Sequence, residues 1–168
     1  SPPIERLIIF GAGHIAQPLS RIGKTLGFRV VVVDDRGQFA TQERFADADE
    51  TIVSGWEEAI SNLAIDRSAH VVIVTYSHEW DELVLTRVIG SDAAYIGMIA
   101  SRSKAATILG HLQKNGVPEH LLKKVRTPIG IDIGAETPAE IAVSIASELV
   151  MVRRGGTGTY LSKSVEGS

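Results

Sequence analysis

The stretch Phe10-Gly11-Ala12-Gly13-His14-Ile15-Ala16 has the residue types and spacing of a phosphate-binding turn. It follows an apolar run and opens a helical pattern, as a Gly-x-Gly-x-x-Ala dinucleotide fingerprint requires. Gly11 permits a tight turn, and Gly13 lets a diphosphate approach backbone N–H groups at a helix N-terminus. Ala16 keeps that helix close to its strand. His14 adds a side-chain donor where phosphates would sit, or is an exposed histidine of the first turn. Asp34 ends the second apolar run, 23 residues after Gly11, near the spacing of a ribose-binding acid. Asp34 suits the hydroxyls of NAD and repels a 2′-phosphate, whereas Arg36 accommodates one. Asp35 reads as solvated.

Further candidates follow later strands. His78, after Thr75-Tyr76-Ser77, is expected near Gly13 as a ligand contact, the alternative being a cap for a helix that begins at Glu79. With Glu79 and Asp81 it does not match a metal-site spacing. Ser101-Arg102-Ser103-Lys104 puts two cations on the first turn of a helix, where they oppose the macrodipole. Together with free N–H groups they suit an anion, and the alternative is a solvated face. Between Thr127 and Pro138 lies a segment too apolar for a floppy loop, with Gly130 and Gly134 marking special backbone angles. Asp132 within it reads equally as a ligand contact or a turn cap. His70, His111 and His120 read as ordinary surface or strand-edge residues.

These loops need a scaffold. Leu7–Phe10, Val30–Val33 and Val71–Val74 are continuous apolar runs, the pattern of strands covered on both faces. Shorter strands are predicted at 51–53 and 94–98, and helices at 14–26, 55–63, 79–89, 101–115 and 138–153. Ser54 with Glu57, and Thr137 with Glu140, fit capping boxes. Asn115-Gly116 stops the fourth helix. The alternation predicts an α/β domain with a doubly wound, mostly parallel sheet in three layers, of order 3-2-1-4-5 with room for a sixth strand. Its ligand crevice would lie beyond the carboxyl ends, where the strand order reverses.

Composition narrows the function. The 168 residues include 44% hydrophobic and 22% charged side chains, with net charge −3. By area scaling, about 69% of the unfolded surface would be buried, enough for a core without staples. Zero cysteines exclude a disulfide framework, a thiolate metal site and a cysteine nucleophile in these residues. The mild acidity and nine aromatics argue against nucleic acid, and no apolar stretch is long enough for a membrane span. A cytoplasmic location follows as the expectation. Residues 1–155 are expected to form the cofactor-binding domain and 156–168 a flexible tail. The opening Ser1-Pro2-Pro3 suggests a domain cut from a longer protein.

Taken together, these segments resemble the C-terminal Rossmann-like domain of the xanthine dehydrogenase accessory protein family (XdhC/CoxI). The resemblance rests on residues 10–16, Val33-Asp34-Asp35-Arg36, Glu43-Arg44-Phe45-Ala46, Tyr95–Ile99, Ser101–Lys104, Pro128–Ala135 and Thr137–Ile145, and covers about residues 6–155. Ala100 departs from the glycine usual before the Ser-Arg turn. The resemblance implies a maturation factor that binds molybdenum cofactor (molybdopterin or its dinucleotide form) and assists its sulfuration and insertion into a molybdenum hydroxylase. It further implies an N-terminal domain with a cysteine motif, outside this chain, and the apo-enzyme and a cysteine desulfurase as partners. A homodimer is compatible, although no exposed apolar stripe in the sequence demands one. Two other classes remain open: an NAD(P)-dependent oxidoreductase and a nucleotide-sensing regulatory domain.

Overall fold

A computed structural model describes residues 4–162. Six strands, β1 (Arg6–Phe10), β2 (Arg29–Asp34), β3 (Glu50–Val53), β4 (Ala69–Ile73), β5 (Tyr95–Met98) and β6 (Val125–Arg126), form one sheet. Its order is β3-β2-β1-β4-β5-β6 and every pairing is parallel. The helices are α1 (Ala16–Thr25), α2 (Trp56–Leu63), α3 (His78–Val88), α4 (Arg102–Lys114), α5 (Glu119–Leu122) and α6 (Pro138–Arg154). The domain is thus a doubly wound, Rossmann-like α/β fold, with β6 as the extra strand.

The continuous apolar runs are explained by burial on both faces. Alternate β1 residues serve opposite layers: Ile8 and Phe10 pack with Trp56, Leu85 and Ile108 from α2, α3 and α4. Leu7 and Ile9 pack with Leu19 of α1 and Ile145 and Leu149 of α6. Each such aliphatic side chain contributes about 1.5–3 kcal/mol on burial. At the end of β1 the crossovers diverge, one to β2 and one to β4, which leaves a crevice at the carboxyl edge.

Local chemistry sets several boundaries. Thr137 and Glu140 form the expected capping box, with Pro138 at the first helical position. The box expected at Ser54 and Glu57 does not form. Gly55 is the N-cap, Ser54 Oγ donates to the Gly55 carbonyl at 2.9 Å, and Arg87 Nε of α3 takes Glu57 at 2.9 Å. The Ser54 N–H that the box would need donates instead to the Asp34 carbonyl at 3.2 Å. α1 begins at Ala16, two residues later than expected, because Gly13-His14-Ile15 forms a separate turn. His70 is a further correction. It lies in central β4, is 3% exposed and meets the Phe28 ring edge-on at 5.0 Å.

α1 and α6 leave a groove of about 770 Å³ lined by Ile22, Leu26, Val143, Val150 and Met151, among others. Against the sequence expectation, an apolar stripe is therefore exposed on α6. Residues 156–162 follow α6 without regular structure, and the tail beyond 162 and the opening Ser1-Pro2-Pro3 lie outside the described residues. Among the described residues, no helix is long and apolar enough to cross a membrane.

Candidate functional site

The two conspicuous glycines of the turn do different jobs. Gly11 has φ +117°, and a Cβ there would sit 2.1 Å from the Val74 carbonyl oxygen. Only glycine lets the end of β1 pass so close to the chain leaving β4. Gly13 is the opposite case, since a Cβ there would meet nothing within 4 Å. It presents open backbone to the crevice. The N–H groups of Gly13, His14 and Ile15 donate to no acceptor among the described residues, and the helical ladder starts with Gln17 N–H on the Gly13 carbonyl at 3.3 Å. Three free donors behind an open face form a shelf that could receive an anion. The His14 side chain is exposed beside it.

The turn is held from below by residues far away in sequence. Asp34 Oδ2 accepts the Ala12 N–H at 2.9 Å and Arg36 Nη2 at 3.0 Å. Its Oδ1 accepts the Arg36 N–H at 2.9 Å and Arg36 Nε at 3.0 Å. Asp34 is 0% exposed. Burial alone would raise its pKa, but the Arg36 guanidinium and the two N–H groups outweigh this and hold its carboxyl below the ordinary range. The Arg36 guanidinium is clamped between Phe39 and Tyr76, 3.7 and 4.0 Å from the ring centroids. Asp35 is not merely solvated, because it accepts the Tyr76 hydroxyl at 2.9 Å.

Residues without a spacing signature complete the support. Arg44 Nη1 donates to the carbonyls of Ala12 and Phe39, tying the turn to the loop after β2. Arg44 falls in the Glu43–Ala46 stretch that carries part of the family resemblance, but its spacing assigns it no role. On the other side, Asp81 Oδ1 accepts the Thr75 N–H at 2.8 Å and lies 2.6 Å from Thr75 Oγ1. Burial pushes the Asp81 carboxyl up to about 6, against the opposing pull of these bonds and of the His78 charge. Asp81 therefore fixes Thr75, whose Cα would crowd any side chain at Gly11.

The remaining candidates are dispersed along the carboxyl edge. His78 opens α3 and is exposed; it lines a hollow of about 330 Å³ with Glu79, Glu82, Leu83 and Thr86 of the same helix. Among the described residues it makes no hydrogen bond to the glycine turn. Ser101 caps α4 by accepting the Lys104 N–H at 3.0 Å. Arg102 and Lys104 are exposed and form no ion pair among the described residues. Their helix follows β5, two strand spacings or about 10 Å from β1.

The 127–138 segment is anchored rather than open. Ile129 N–H donates to the Met98 carbonyl at 3.0 Å, and Gly130 N–H to Glu148 Oε1 at 3.1 Å. Tyr95 donates to the same carboxylate oxygen at 2.6 Å, so buried Glu148 is the strut that sequence inspection missed. Gly130 has φ +104°, and a Cβ there would meet Ser144 Oγ at 2.3 Å. Asp132 accepts the Gly134 N–H at 3.4 Å, a turn cap. A cavity of about 350 Å³ lies elsewhere, among Ala94, Tyr95, Lys123 and Arg126 at the start of β5 and β6.

Comparison with known proteins bears on the fold and the family. The family model of the XdhC Rossmann domain matches residues 7–149. YqeB of Escherichia coli (strain K12) is 31% identical over 159 residues, covering 94% of this chain and 29% of YqeB. A probable xanthine dehydrogenase subunit of Bacillus subtilis (strain 168) is 31% identical over 152 residues, covering 90% of this chain and 44% of its own. A crystal structure of a xanthine dehydrogenase from Bacillus halodurans superposes with TM-score 0.81 at 31% identity, covering 98% of this chain and 46% of that one. The chain spans less than half the length of each of these three. The match over most of its length, on a sheet of the expected order, places the chain in the XdhC Rossmann domain family.

Proposed function

We propose that this domain holds the phosphate end of molybdenum cofactor during maturation of a xanthine dehydrogenase-type molybdenum hydroxylase. One observation carries the reading: three N–H groups at Gly13, His14 and Ile15, unpartnered among the described residues, stand behind an open glycine face at the point where the strand order reverses. Molybdopterin ends in a phosphate, and in its dinucleotide form a diphosphate joins it to a nucleoside; either group suits such donors. His14 stands beside that shelf, while Arg102 and Lys104 supply positive charge farther along the same edge. Among the described residues, no group of three His, Cys, Asp or Glu could hold a metal ion. When bound, the cofactor supplies the molybdenum centre that the hydroxylase uses, and this chain binds and orients it.

The names of the relatives from Bacillus subtilis and Bacillus halodurans point to the same client class. Sulfuration and hand-over would involve a cysteine desulfurase and the apo-enzyme, in the cytoplasm. The test is complementation with the full-length protein in cells that lack it. Wild type should restore molybdenum hydroxylase activity; Gly13→Val, where a Cβ meets nothing within 4 Å, should fold and yet fail to restore it. Full rescue by Gly13→Val would refute the reading.

A further inference from the structure

In a nucleotide-binding α/β fold, the acid at the end of the second strand receives the ribose hydroxyls, and it needs free lone pairs to do so. Here that acid is Asp34, and its four acceptor positions are all taken. Oδ1 receives Arg36 N–H and Nε, and Oδ2 receives Ala12 N–H and Arg36 Nη2, all within 2.9–3.0 Å. A carboxylate offers about four lone-pair sites, so none remains for a cis-diol. The side chain is also 0% exposed.

Arg36 is not free to step aside. Leaving would strip the buried carboxylate of its counter-charge and break the contacts with Phe39 and Tyr76, whose rings hold both faces of the guanidinium. Tyr76 is itself fixed by the bond from its hydroxyl to Asp35. The latch is therefore preassembled from Phe39, Arg36, Tyr76, Asp34 and Asp35.

We propose that Arg36 is the specificity residue of the crevice: by occupying Asp34 it bars recognition of a free ribose diol, so that NAD(H)-type nucleotides are refused and ligands are held through phosphate alone. The proposal rests on the reading that the Gly13 shelf takes phosphate, and not on the identity of the cofactor. It separates a phosphate-holding domain from a nicotinamide-dependent dehydrogenase that shares the glycine turn.

Calorimetric titration of the wild-type protein tests it with three probes: pyrophosphate, ADP and 2′,3′-dideoxy-ADP. Pyrophosphate should bind, and the two nucleotides should bind within threefold of each other, or not at all. A tenfold preference for ADP over the dideoxy form would overturn the proposal. Failure of pyrophosphate to bind would overturn the phosphate reading, and the specificity proposal with it. A second arm titrates NADH into Arg36→Ala, which keeps the two backbone donors to Asp34. This variant should bind NADH at least tenfold more tightly than wild type. Equal NADH affinity in the two proteins would contradict the latch.

Discussion

Asp34 Oδ2 accepts the Ala12 N–H at 2.9 Å, so the last residue of β2 holds the turn that follows β1. The carboxylate is buried and paired with Arg36, and both depend on the other for compensation. Asp34→Asn would keep one acceptor oxygen and turn an amide toward the Arg36 fork or the Ala12 donor. The expected cost is about 2–4 kcal/mol, for a buried polar network left partly unsatisfied. Thermal denaturation should show a Tm lower by roughly 5–12 °C. An unchanged Tm would mean that Asp34 is not a strut.

Gly11 and Gly13 should separate stability from binding. Gly11→Ala drives a methyl against the Val74 carbonyl at a backbone angle that side chains rarely adopt, so it should prevent folding or lower Tm sharply. Gly13→Ala places its methyl in open space and should change stability by no more than about 0.5 kcal/mol. Its phosphate affinity should nevertheless fall about tenfold, worth about 1.4 kcal/mol. Equal effects of the two substitutions on Tm would contradict the assignment.

Asp81 should make stability depend on pH. Its carboxyl is raised from 3.8 to about 6 in the folded protein, chiefly by burial. Thr75 N–H and Oγ1 donate to Asp81 Oδ1 at 2.8 and 2.6 Å and favour the charged form, but burial outweighs them. The folded pKa exceeds the unfolded one, so the stabilisation is fully present below about pH 4 and is lost as pH rises through about 6. Asp81→Asn mimics the neutral acid. Near pH 4 its Tm should match wild type, and above pH 7 it should be more stable by up to about 2–3 kcal/mol. A wild type that is the more stable of the two at pH 8 would refute this.

Arg102 and Lys104 are exposed and unpaired among the described residues, which leaves them available to an anion. Each change to Ala should weaken a phosphate ligand by roughly 1–3 kcal/mol if the contact is direct. Stability should stay within about 0.5 kcal/mol of wild type. Unchanged affinity in both variants would return these residues to a solvated face.

The fold was legible where the signal is local. Val30–Val33 and Val71–Val74 read as strands because both faces of the sheet are covered, and the Gly11–Ala16 turn carries its own spacing. Contacts between distant residues left no such trace. Arg44 reaches Ala12 across 32 residues, and Glu148 reaches Tyr95 across 53, so neither pairing shows a periodicity. Asp34 is a different case: its type and position were plain, but a sequence does not show whether lone pairs are already spent. Asp81 looked like an acid on the first turn of a helix, and only packing reveals that it is buried against Thr75.

The most direct measurement is native mass spectrometry of the full-length protein purified gently from cells, to weigh the ligand it retains. A pterin mass, with or without molybdenum or a nucleotide, is the predicted result, and it should disappear in Gly13→Val. Retention of a nicotinamide dinucleotide instead would contradict both the phosphate-holding role and the Arg36 latch.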